Sequence, residues 1–137
     1  MTLKRTEIRQ AAEEAIRTAV DGAAAVEADS GYPVDQVPMI RVGWTEEAPQ
    51  EMHMDTGSTV YVLGLMVEIY LACGPSALDA CDGLQEIADE AVAGLAGDAE
   101  LGVVQVLPPT STVTQDGGGE QNHVHLEIEY PVQYLRD

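Results

Sequence analysis

The residues best placed for chemistry are His123, His125 and Glu127, which alternate with apolar residues near the end of the chain. Alternation indicates a β-strand, in which side chains two positions apart share a face and lie about 7 Å apart. The two imidazoles could share a metal ion after a modest adjustment, with His53 as a further ligand from another segment. Polar residues at alternate positions are also typical of the solvent face of a terminal strand. We therefore favour a solvated surface and expect neither a metal nor another cofactor.

Nucleophilic catalysis has weaker support. Cys73 and Cys81 have no histidine near them in the sequence, and no serine lies in a Gly-x-Ser-x-Gly turn. The two cysteines have no second pair, so we expect reduced, packed thiols rather than a disulfide framework or a four-ligand zinc site. The segment 116–119 (Asp-Gly-Gly-Gly) lacks the lysine and the strand-to-helix setting of a phosphate-binding loop. It predicts the tip of a hairpin instead. We expect no enzymatic activity.

The charge balance is strongly acidic. The chain has 24 Asp and Glu residues against six Lys and Arg, which gives a formal net charge of −18. Such a surface repels phosphate groups, which disfavours a basic nucleic-acid groove and docking on anionic membranes. It keeps a protein soluble, and it also suits the salt-rich cytoplasm of a halophilic host. The sequence has no run of roughly 18 to 20 apolar residues and no hydrophobic signal core, so we expect the protein to be made and used inside a cell.

Hydrophobic periodicity predicts one domain over residues 1–137 as the scaffold for these side chains. Apolar residues at steps of three and four predict an amphipathic helix from residue 2 to about 28, and a second helix that opens at Ser76 and stops at Gly97. Alternation predicts strands over residues 37–44, 59–72, 101–107, 110–115 and about 122–134. A long polar connection, 45–58, follows the first strand and has room for a short strand at 52–54.

The order of these elements predicts an α+β fold, with two helices packed on one face of a mostly antiparallel sheet of four to five strands. Segment 59–72 is apolar on both faces, since Leu63, Leu65 and Val67 alternate with Val60, Val62 and Met66. Two helices on one side cover only one of these faces. The simplest way to bury the other face is contact with a neighbouring copy of the chain.

Two groups of residues are typical of subunit contacts. The first comprises the bases of the opening helix: Lys4, Arg5, Arg9 and Arg17. They can dock on the acidic surface of an adjacent copy, and head-to-tail contacts of this kind close into a ring. The second comprises Trp44, Met52 and Met54. Tryptophan and methionine make adaptable, high-contact interface residues.

Five segments follow one another in an order that is met in a known family. They are the amphipathic opening helix, the strand end 67–70 (Val-Glu-Ile-Tyr), the turn into 77–80 (Ala-Leu-Asp-Ala), the helix exit 97–103 (Gly-Asp-Ala-Glu-Leu-Gly-Val) and the closing strand 126–130 (Leu-Glu-Ile-Glu-Tyr). In this order and pattern the chain resembles the tail terminator (tail completion) proteins of long-tailed phages and archaeal tailed viruses. The polar connection 45–58 and the Pro108-Pro109 break depart from the family pattern.

The resemblance implies a hexameric ring at the head-proximal end of the tail tube, which ends tube polymerisation and joins tail to head. The implied partners are further copies of the chain, the tail tube protein and a head–tail connector or neck protein. DNA would only pass through the ring lumen, and the protein would reside in the virion after assembly in the host cytoplasm. Three alternatives stay open: another neck or head-completion subunit, a small ligand- or metal-binding α+β domain, and a cytosolic adaptor that dimerises through 59–72.

Overall fold

The computed structural model describes residues 3–30, 37–53, 59–116 and 123–136. In chain order, the elements in this part are α1 (Lys4–Val20), β1 (Ala25–Ala28), β2 (Met39–His53), β3 (Thr59–Ala72), α2 (Ala77–Ala93), a 3-10 helix (Gly94–Gly97), β4 (Val103–Val106), β5 (Thr110–Asp116) and β6 (His123–Arg136). The predicted α+β class with two helices is confirmed. No helix in these ranges is long and apolar enough to cross a bilayer.

The strands form one mostly antiparallel sheet in the order β1-β2-β3-β6-β4, and β5 also pairs with β6. Only β1 and β2 run parallel. β4 pairs with the C-terminal half of β6 and β5 with its N-terminal half, so the two strands lie end to end along one edge. The described sheet has six strands rather than four to five, because β1 lies in a segment that the sequence predicts as helix.

The first helix ends earlier than its apolar spacing predicts. α1 stops at Val20 instead of about residue 28, and Asp21 and Gly22 take positive φ angles of 47° and 83°. Glycine adopts this left-handed conformation without steric cost, and aspartate is one of the few other residues that tolerate it. The chain then enters Ala25–Ala28, which pairs with β2 as the parallel strand β1. The prediction was wrong because alanines at helical spacing continue past the turn.

Strand β2 replaces most of the predicted connection 45–58. It continues beyond the predicted end at Trp44 as far as His53. Its pairing with β3 shifts register between Trp44 and Glu47 and again between Pro49 and His53. A polar strand is tolerated here because, among the described strands, β1 pairs only with residues 39–42 of β2 and none pairs with the outer side of the rest of β2. Strand β3 has the predicted bounds, Thr59–Ala72.

The core lies between the helices and one face of the sheet. Both helices and alternate residues of the strands contribute to a single buried cluster. Its fully buried members include Ile8 and Ile16 on α1, Ala88 and Val92 on α2, and Leu63, Leu65, Val67, Ile69, Ile128 and Val132 on the sheet. Leu78, which its spacing assigns to the apolar stripe of α2, is instead 53% exposed. The buried stripe runs through the adjacent position, Ala77, and then Cys81.

A polar contact crosses this core. The Tyr130 hydroxyl donates a hydrogen bond to Asp89 Oδ1 of α2 at 2.5 Å. Burial and the neighbouring Asp89 carboxylate raise the pKa of Tyr130, so the phenol stays protonated and remains the donor. The contact fixes α2 on strand β6.

Candidate functional site: the open sheet face and the outer edge strand

We call the side of the sheet opposite α1 and α2 the open face. In the described part of the chain both helices pack on the other side. On its central strands the open face consists of Val60, Val62, Gly64, Met66, Glu68 and Tyr70 of β3, and of Leu135, Gln133, Pro131, Glu129, Glu127 and His125 opposite them on β6. The apolar second face predicted for 59–72 is thus a narrow strip, and much of its neighbour strand is polar.

Polar side chains bridge this strip at Gly64. Thr45 Oγ1 of β2 lies 3.2 Å from Glu129 Oε1 of β6 and 3.3 Å from the Gly64 carbonyl oxygen, and its proton can go to either. A Cβ at Gly64 would clash with Thr45 Oγ1 and lie 2.7 Å from Glu129 Oε1, so a larger residue here would have to displace both side chains of the bridge. Val62 and Met66 on either side of the bridge are only partly buried. Protein–protein interfaces have a similar arrangement, with an apolar centre and a polar rim.

Near the end of β3 the open face carries a cluster of Glu68, His125 and Glu127, whose ligand atoms lie within 4.8 Å of one another. His125 Nε2 is 3.9 Å from Glu68 Oε2 and 3.7 Å from Glu127 Oε1. Tyr70 stacks on the His125 ring, with centroids 4.3 Å apart and planes 8° apart. The Tyr70 hydroxyl donates to Glu68 Oε2 at 2.7 Å. Burial and the neighbouring Glu68 raise the pKa of Tyr70, so its hydroxyl stays protonated.

This cluster overlaps only in part with the residues that the sequence singles out. His125 and Glu127 belong to it, whereas the side chains of His123 and His53 lie outside the described part of the structure. Glu68 was missed, because it joins the cluster through its place opposite Glu127 in the pairing of β3 with β6. Alternation within one strand carries no information about that register.

Glu47 forms a second cluster that the sequence pattern did not reveal. Its side chain is only 7% exposed, and it accepts hydrogen bonds from Arg5 at 3.3 Å, from Arg136 at 3.0 Å and from the Tyr134 hydroxyl. The Arg5 guanidinium also lies 4.5 Å from the centroid of the Trp44 ring. The cluster ties the start of α1 to β2 and to the end of β6. It also places Arg5 and Trp44, two predicted contact residues, side by side.

The other predicted contact residues have different settings. Lys4 pairs with Glu7, Arg9 with Glu13, and Arg17 with Glu13 and Glu14, at distances of 3.3, 2.7, 2.6 and 2.8 Å. Met54 lies outside the described residues, and so does the side chain of Met52. A contact of these bases with another copy stays a prediction. In such a contact, each base would either bind an acidic group of the other copy in addition to its present partner on α1, or leave that partner for it.

Strand β5 is the outer edge of the sheet. It pairs with β6 on one side, and no described strand pairs with its other side. Residues 110–114 are all exposed; Val113 is 47% exposed, and Val104 on the same edge is 49% exposed. Natural edge strands are usually protected by lysine, proline, bulges or inward charges. Residues 110–114 (Thr-Ser-Thr-Val-Thr) contain no charge and no proline, and their register with β6 is regular.

The opposite edge of the sheet is protected. β1 is only four residues long. Beyond it β2 has register shifts in its pairing with β3, and it contains Glu46, Pro49 and the inward-pointing charge of Glu47. These are the features that oppose pairing with another chain. Among the described strands, β5 is therefore the edge best suited to receive a further strand.

No protein-family model matches this chain, and no curated protein matches it. Among solved structures, the chain is similar to a chain in the virion of the native gene transfer agent (GTA) particle. The TM-score is 0.40 and the sequence identity is 10%, over 91% of this chain and 93% of that chain.

Proposed function

We propose that this chain is a structural subunit of a virion and acts as a tail terminator, a ring at the head-proximal end of the tail tube. In this role it ends tube polymerisation and joins the tail to the head. The observation that carries the proposal is the unprotected edge strand β5 beside the open face, in a sheet whose other edge is protected. An edge that can receive a further strand offers each copy one surface for contact with a neighbouring protein.

The order of elements supports the same role. The tail terminators that the chain resembles are small α+β subunits, and the described chain has two helices on one face of a mostly antiparallel sheet. The segments that carry the resemblance include the end of β3, the turn into α2 and the central part of β6. The partners proposed with this role are further copies of the chain in a hexameric ring, the tail tube protein and a connector or neck protein.

The charge of the chain is compatible with a ring through which DNA passes. Six copies with a formal net charge of −18 each would carry about −108. A lumen of the same sign as the phosphate backbone repels it, so DNA slides through without binding. We propose no catalytic step and no membrane contact for this subunit.

A virus that lacks the gene for this chain tests the proposal. If the chain ends tube growth, negative-stain micrographs of such lysates should show tubes longer than those of the wild type, and heads without tails. Purified chain added to these tubes should bind one end, where a gold-labelled antibody locates it. Native mass spectrometry of the purified chain at low and high salt reports whether rings of six form.

The outcomes separate the neighbouring roles. Tubes of normal length beside unattached heads would assign the chain to the neck or to head completion instead. Normal infectious virions in the absence of the gene would overturn a structural role in the virion altogether. Reintroducing the gene on a plasmid is the matched control, and it should restore normal tube length.

A further inference from the structure

The Glu68–His125–Glu127 cluster has the spacing of a metal site. His125 Nε2 lies 3.9 and 3.7 Å from the two carboxylate oxygens. Around a tetrahedral zinc ion with ligands at about 2.0–2.2 Å, neighbouring ligand atoms lie roughly 3.3–3.6 Å apart. The two distances from His125 Nε2 are within a few tenths of an ångström of this spacing, and all three ligand atoms lie within 4.8 Å of one another.

The two carboxylates of the cluster favour the binding of a cation. Glu68 and Glu127 are directly opposite each other on β3 and β6, where like charges destabilise a sheet. Arg41 lies opposite Glu68 on β2, and its Nε donates to Glu27 at 2.7 Å. The residue opposite Glu127 on β5 is the neutral Thr112. A cation between the two carboxylates would lower their mutual repulsion.

His125 supplies a lone pair for such a cation. Its Nε2 is buried and has no hydrogen-bond partner among the described residues. A buried nitrogen without a protein partner is costly, and a water or an ion supplies the missing contact in many proteins. Tyr70 holds both ligand types in place, since it stacks on the imidazole and donates to Glu68. Side chains that bind metals are commonly oriented by further contacts with their neighbours.

We propose that Glu68, His125 and Glu127 bind one divalent transition-metal ion of the zinc class. One imidazole and two carboxylates suit Zn²⁺, whereas Mg²⁺ and Ca²⁺ prefer oxygen ligands alone. Three protein ligands leave a position for water on the open face. The site does not depend on the proposed role in a virion, and it would exist in the isolated chain.

Calorimetric titration of the full chain with ZnCl₂ tests the site. The buffer contains about 0.2 M KCl and millimolar Mg²⁺, so that weak binding to the acidic surface is screened and occupied. We expect one Zn²⁺ per chain. His125→Gln and Glu127→Gln should each weaken binding by about a hundredfold, and Tyr70→Phe by about tenfold, within the range known for outer-shell partners.

Matched variants make the test specific. Glu129→Gln removes the same charge from the same face of β6 and should bind Zn²⁺ like the wild type, as should His123→Gln and His53→Gln. Histidine NMR signals of the wild-type chain provide a readout that needs no variant, because Zn²⁺ should shift one imidazole and leave the other two unchanged. No saturable binding, equal loss in Glu129→Gln, or binding that persists without His125 would each overturn the proposal.

Discussion

Glu13 lies between two arginines on α1 and accepts hydrogen bonds from Arg9 at 2.7 Å and from Arg17 at 2.6 Å. Burial alone would raise the pKa of its carboxyl group, but the hydrogen bonds and charges of the two guanidinium groups outweigh burial. The pKa of Glu13 is therefore below its usual value of 4.5. Because the folded state binds the proton less tightly than the unfolded chain, ionised Glu13 stabilises the fold.

The stabilisation should appear in urea unfolding of Glu13→Gln. At pH 7 we expect this variant to be less stable than the wild type by about 0.5–1 kcal/mol, as for helix ion pairs near a surface. The difference is fully present above pH 4.5, the usual value, and is lost as the pH falls through the lowered pKa of the folded state. Glu14→Gln, on the exposed side of the same helix, is the control and should change stability less. A difference that does not depend on pH would contradict this account.

The sequence predicts which residues of one strand share a face, but it does not predict which residues of different strands come together. Spacing alone groups His123, His125 and Glu127 on one face of one strand, and in the described sheet His125 and Glu127 do share the open face. Glu68 and Glu47 were not recognised, since each finds its partners on other strands through the register of the sheet. Arg5 and Trp44 were predicted as separate contact residues, and only the fold brings them together.

At the scale of the elements, the edge strand β5 makes its own prediction. Val113→Glu places a charge on the exposed edge, where a neighbouring acidic copy would both repel it and remove it from water. Self-association should weaken by at least about tenfold, which corresponds to roughly 1.4 kcal/mol. Leu78→Glu, with similar exposure on α2, makes the same change of net charge and should leave association intact.

Sedimentation velocity over a range of chain concentrations measures this association. Unfolding of both variants, followed by circular dichroism, verifies that they retain the fold. Equal association of Val113→Glu and wild type would show that β5 is not the contact edge.

The elements differ in how far their own sequence determines them. β3 was predicted to the residue because β-branched and aromatic residues are frequent in 59–72 and Gly74-Pro75 follows the run, which favours a strand over a buried helix. β1 was missed because alanine fits a helical stripe as well as a short strand. The second half of β2 was read as a loop, since polar residues with one proline are also what a sheet edge carries.

At the scale of the whole molecule, the acidic charge opposes folding by self-repulsion. The formal net charge of −18 is spread over 137 residues. Salt shortens the range of this repulsion from about 14 Å at 0.05 M to about 3 Å at 1 M. Raising KCl over this range should therefore stabilise the fold by on the order of 1 kcal/mol or more, roughly 3–6 °C in Tm.

Calorimetric melting in KCl checks this expectation. KCl avoids the strongly stabilising anions, such as sulfate, that act on every protein. A Tm that does not change with KCl would mean that charge repulsion is already balanced in the folded chain. A strong increase would agree with the interpretation of the composition as an adaptation to a salt-rich cytoplasm.

The Pro108-Pro109 pair between β4 and β5 limits the length over which the outer edge can pair with an added strand. The Leu107 amide still donates to the Pro131 carbonyl at 2.9 Å, but neither proline that follows can donate. Within the described residues of this edge, an added strand can therefore pair without interruption only along the seven residues of β5, a length of about 23 Å. Pairing over so short a strand is weak and reversible, so a misplaced partner can dissociate and bind again. It also leaves no long uninterrupted edge along which amyloid-like strand addition could continue.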